Sequence, residues 1–82
     1  MIKEEKLFLN ISIWLNEIKS KNNIDIKDMA KELECSSSFL EILLKYKDNP
    51  LEYNLENGIS IQFIAKIKQK YNAPLDEIFN ED

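Results

Sequence analysis

Apolar residues recur along this chain at helical spacing, in blocks separated by short polar runs. Across residues 3–21, Leu7, Ile11, Trp14, Leu15 and Ile18 fall at i, i+4, i+7, i+8 and i+11, the pattern of one buried helix face. Phe8, Leu9 and Ile13 lie off that stripe and either widen it or pack against another chain. Asn22 and Asn23 suit the end of this helix, because Asn tolerates the left-handed conformation of a C-terminal cap. The stretch from Ile24 to Tyr46 then organises the rest. Asp25 is an N-cap residue, followed by Met29, Ala30 and Leu33 on one face. The polar run Cys35-Ser36-Ser37-Ser38 breaks the pattern, and a second stripe, Phe39, Leu40, Leu43 and Leu44, begins at once. Two short helices, 26–34 and 37–46, are therefore expected, joined by a tight turn.

Lys47 to Gly58 is less regular. Asn49-Pro50 and Asn57-Gly58 are turn signals at its ends, and Leu51, Tyr53 and Leu55 alternate with polar residues over too short a span to separate strand from helical turn. Ser60 is placed to cap a fourth helix, 61–71, with Ile61, Ile64, Ala65, Ile67 and Tyr71 expected toward the core. Pro74 suits the first turn of a fifth helix, whose LDEIF segment supplies Leu75, Ile78 and Phe79, and the last three residues are expected to fray. With 82 residues, one glycine and no repeat, the expected architecture is a single all-α domain spanning 1–82, a compact five-helix bundle.

Composition narrows the chemistry. The absence of histidine removes imidazole catalysis and histidine–metal sites. The lone Cys35 has no partner for an internal disulfide and reads as a small buried hydrophobe. The chain carries no nucleophile–base pair, glycine-rich phosphate loop or metal-ligand cluster, so neither an enzyme nor a cofactor is expected. No apolar run has the length of a signal h-region or membrane span, so a cytoplasmic location is expected. Asn10-Ile11-Ser12 matches the glycosylation sequon, which inside a helix of such a chain is fortuitous. Acidic pairs such as Glu4-Glu5 and Asp76-Glu77 stand at helix starts, where they complement the helix dipole.

Helix, turn and helix over 25–46 form the arrangement that can set its second helix in a DNA major groove. Three segments carry a more specific likeness: LNEIKSKNNIDIKDMAKELECS, the apolar positions Leu40 and Leu43, and ISIQFIAKIKQKYNAPLDEIF. Over about Leu15 to Phe79 they resemble the Cro/C1-type (XRE-like) helix-turn-helix family of phage and bacterial repressors, a lambda-repressor-like fold. The resemblance implies a DNA-binding transcription regulator acting as a homodimer on double-stranded DNA. It also implies the site. Ser37, Ser38, Glu41 and Ile42 would face the bases, with Ser36 at the helix cap and Lys27, Lys45 and Lys47 on phosphates.

The chain departs from the family pattern at several positions. Ile26 replaces a phosphate-binding Gln, and Ile42 stands where a polar reading residue is usual. Lys19 and Leu44 occupy the places of an Arg–Glu pair, Tyr46 replaces a glycine, and the 47–58 connection is longer than usual. Charge runs the same way. The net charge is -4, and residues 25–58 hold four lysines against eight carboxylates. Lys27, Lys31, Lys45 and Lys47 are the lysines of that segment, while Lys66, Lys68 and Lys70 read either as further phosphate contacts or as solvated surface. The alternative is a phage or mobile-element protein that keeps the fold but binds a protein target, such as a repressor, polymerase or CRISPR effector. It would use Ile42, Leu44 and the acidic rim of Glu41, Asp48 and Glu52, unless the 47–58 loop covers those apolar residues as core.

Overall fold

A computed structural model describes residues 2–49 and 59–80, and the described chain is a bundle of five helices with no strand. They are α1 (Glu4–Asn22), α2 (Ile26–Glu32), α3 (Ser37–Lys45), α4 (Ile61–Tyr71) and α5 (Leu75–Ile78). Leu51, Tyr53 and Leu55, with their undecided strand or turn, lie outside the described residues, as do the Asn49-Pro50 turn's Pro50, Glu52, Asn57-Gly58 and the terminal Glu81 and Asp82. The Cα radius of gyration, 11.7 Å, is that of a closely packed chain of this length.

Local chemistry sets the helix ends. Ser36 and Ser60 cap α3 and α4, their hydroxyls accepting from the Phe39 and Phe63 N–H groups at 3.1 Å. Asp25 holds the N-cap position of α2 with extended backbone, but its side chain makes no capping bond. Left-handed residues that are not glycine close three helices: Asn23 and Asn72 as the caps of α1 and α4, and Glu34 just after the Leu33 cap of α2, with φ of 52°, 54° and 54°. At Glu34 the turn closes by bonds from Cys35 N–H to the Ala30 carbonyl and from Glu34 N–H to the Lys31 carbonyl. That paired pattern satisfies the last carbonyls of α2 and sends the chain into α3 within four residues.

The core gathers Ile11 and Leu15 of α1, Met29 and Ala30 of α2, Leu33, Leu40, Leu43 and Leu44 of α3 and its approach, Phe63 and Ile67 of α4, and Ile78 of α5. It differs from the periodicity in particular places. On α1 the buried row is Phe8, Ile11, Ser12 and Leu15, shifted from the expected stripe, and Leu7, Trp14 and Ile18 are only half-buried. Phe8 turns inward because the Tyr46 ring stands edge-on to it, centroids 5.8 Å apart. On α4, Ile61 is 87% exposed and Ala65 is exposed; Phe63, absent from the expected core, is buried against Phe39. At 100° per residue Ile61 and Ala65 lie about 160° from Phe63, so a helix that buries the aromatic must expose them. Phe79 is exposed, leaving Ile78 and half-buried Leu75 to hold α5, and Cys35 is half-buried beside the core.

Polar residues of α1 bind the other helices from within. Ser12, fully buried, donates to the Leu44 carbonyl and accepts from Lys47 N–H. Asn16 donates to the same Leu44 carbonyl at 2.8 Å and to its own helix at Ser12. Asn10 donates to the Ile78 carbonyl at 2.8 Å. The carbonyls at the ends of α3 and α5, which no helical N–H can reach, thus find partners on α1. These bonds fix how α3 sits in the bundle.

Candidate nucleic-acid interface

The outer face of α3 follows from its inner one. With Leu40, Leu43 and Leu44 buried, Ser37, Ser38, Glu41 and Lys45 fall together on the solvent side. Ser36, Ser37 and Ser38 are all exposed at the helix start, where backbone N–H groups and the positive end of the dipole favour an anion. Ile42 is half-buried at the margin of this face. Leu44 is 7% exposed, so it packs in the core and is withdrawn from the apolar binding surface considered for a protein target.

Electrostatics make the face nearly neutral. Lys45 donates to Glu41 one turn back at 2.9 Å, both side chains about half exposed. Lys47 pairs with Asp48 at 3.3 Å. Lys27 stands exposed in the first turn of α2. The packing adds a cation that spacing did not single out for this face. Lys19 of α1 lines a shallow recess with Ile26, Glu41 and Lys45, and Asp48 borders it. Its signal lay one turn earlier on the same helix, in Asn16, which anchors the end of α3. Lys47 instead lines a separate recess with Ile13, Asn16 and Ser20, away from the Glu41–Lys45 pair. The structure therefore brings Glu41, Lys45 and Lys19 together and sets Lys47 apart.

The lysines of α4 are drawn into local contacts. Lys66 pairs with Glu34 at the α2–α3 turn, and that hydrogen bond, with attraction to Lys66 and more weakly to Lys70, holds the Glu34 carboxyl below the usual carboxylate range. Lys68 donates to the Asn72 side chain at 3.0 Å. Tyr71 donates to Glu32 at 2.8 Å, tying α4 to α2, and burial first, then that carboxylate, push the phenol above its ordinary value. A hollow of about 660 Å³ lies between the turn and α4, walled by Phe39, Phe63 and Cys35. Desolvation raises the Cys35 thiol, which is the opposite of what a reactive thiolate requires.

Among the described residues no group of His, Cys, Asp or Glu is arranged to hold a metal ion, and no helix is long and apolar enough to cross a membrane. No family model matches this chain, nor does any curated protein or solved structure.

Proposed function

We propose that the chain is a small DNA-binding transcriptional regulator in which α2, the Leu33–Ser36 turn and α3 form a helix-turn-helix, with α3 entering the major groove. One observation carries this reading: α3 is held from behind by the core and by Ser12 and Asn16, while its capped start and one whole side, from Ser37 to Lys45, are exposed. A rigidly backed helix with a polar outer side and an exposed N-terminal turn is what groove insertion requires. Ser36, Ser37 and Ser38 would meet phosphates or base edges, and Glu41 would accept from a cytosine amine. Lys19, Lys27 and Lys45 would meet phosphates, with Lys47 at the margin.

So few cations imply weak, strongly salt-dependent binding by each copy, so that two copies on paired half-sites would be needed for useful affinity. The test is fluorescence anisotropy with labelled duplex. Binding is expected at about 50 mM salt and is expected to fall linearly on a log–log plot as salt rises. A folded protein that leaves the duplex free at that salt overturns the regulator reading. The pairing of Lys45 with Glu41 and of Lys47 with Asp48 favours a second reading, a retained fold that binds a protein target. With Leu44 in the core, that target would meet Ile42 and the acidic rim.

A further inference from the structure

We infer that the outer side of α1 around Ile13 is a self-association surface whose occupant is a second copy of this chain. The inference supplies the contact that paired half-sites would need, and so rests on the dimeric form of the regulator reading. On α1 the usual order is inverted. Asn10, Ser12 and Asn16 turn toward the bundle to hold α5 and α3, while Ile13 between them is 42% exposed. A lone exposed apolar side chain is ordinary by itself, but Ile13 stands between two hollows whose rims carry opposite charge.

These hollows lie on either side of it. One hollow, between α1 and α5, has Trp14, Pro74 and Ile78 in its walls and Glu77 at its rim. The other, between α1 and the segment after α3, carries Lys21 and Lys47. Ile13 and Glu17 border both, so Ile13 is the ridge that divides them. A two-fold axis lying in this surface, across Ile13 and between the hollows, lays each hollow over the other hollow of the partner. Glu77 of one copy then faces Lys21 and Lys47 of the second, and by symmetry the contact occurs twice. Charges of opposite sign at the two ends of an apolar ridge make the surface complementary to itself. The carboxylates at Glu17 and Glu77 disfavour nucleic acid as the occupant.

Sedimentation of the full chain without DNA, from roughly 1 μM to 1 mM, tests this. A monomer–dimer equilibrium is expected, and Ile13→Asp should weaken it by at least about tenfold with the helical circular dichroism retained, since a charge would be buried at the centre of the contact. Glu77→Lys should weaken it as well, and adding Lys21→Glu to that variant should restore it, because opposite charges again face each other. Both positions are exposed, so these reversals decide the matter even if Ile13→Asp perturbs folding. A monomer at every concentration, a dimer indifferent to Ile13→Asp, or a double reversal without recovery each overturns the proposal. A dimer that ignores duplex DNA would overturn only the regulator reading, whereas a DNA-binding monomer would overturn only this surface.

Discussion

Ser12 is a small residue with a large share in the architecture. Fully buried on α1, it donates to the Leu44 carbonyl and accepts from Lys47 N–H, so one hydroxyl closes the end of α3. Asn16 shares the Leu44 carbonyl. Removing Ser12 alone leaves that carbonyl one donor but strips the Lys47 N–H of its acceptor, so Ser12→Ala should cost about 1–3 kcal/mol. Removing both side chains deprives the carbonyl of both donors, so Ser12→Ala with Asn16→Ala should cost more than the two singles added together. Urea unfolding checks this: the midpoints should fall with the slope unchanged, and strict additivity would mean the two donors act independently. Hydrophobic spacing was silent here, since a Ser and an Asn on an amphipathic helix read as solvent-facing until a partner carbonyl is in view. Asn23, by contrast, was legible, because its left-handed backbone is one that Asn accepts readily; Glu34, with φ of 54°, follows from the Lys66 contact and the closing bonds of the turn, which no local signal carries.

At the scale of the element, α4 shows what periodicity settles and what it leaves open. The segment IQFIAKIKQKY places apolar residues on two sides, one with Ile61 and Ala65, the other with Phe63, Ile64, Ile67 and Tyr71. The extent of the helix and its Ser60 cap were readable, since both depend on neighbouring residues alone. Which side turns inward depended on Phe39 of α3, whose ring meets Phe63 at 5.5 Å edge to face. Phe63→Ala should therefore cost about 3–5 kcal/mol, while Ile61→Ala should change stability by less than about 0.5 kcal/mol. Thermal or urea unfolding of the two variants side by side checks the orientation, and comparable losses at both positions would reverse it. The same logic holds for the two helices of the motif. Their inner residues Met29, Ala30, Leu33, Leu40 and Leu43 were legible as a stripe and are all buried, whereas Leu44 required the view of its neighbours to be placed inside.

At the scale of the whole molecule the question is how a chain of net charge -4 would approach a polyanion. The outer side of α3 is polar, yet Lys45 on that side pairs with Glu41, and Lys66 of α4 pairs with Glu34. Sequence counting revealed the excess of acid but not its arrangement, because i, i+4 pairing on α3 is readable while the reach of α4 to the α2–α3 turn depends on the closed fold. If the regulator reading holds, Glu41 limits affinity twice, by repelling phosphate and by occupying Lys45. Glu41→Gln should then tighten duplex binding and steepen the log–log salt dependence by about 0.9, the increment for one more phosphate neutralised. The lost surface pair should lower stability by no more than about 0.5 kcal/mol, so the gain would not be masked by unfolding. Anisotropy titrations of wild type and variant across a salt series check both slope and affinity. An unchanged slope would mean that releasing Lys45 from Glu41 neutralises no further phosphate, so that the pair is not what limits affinity.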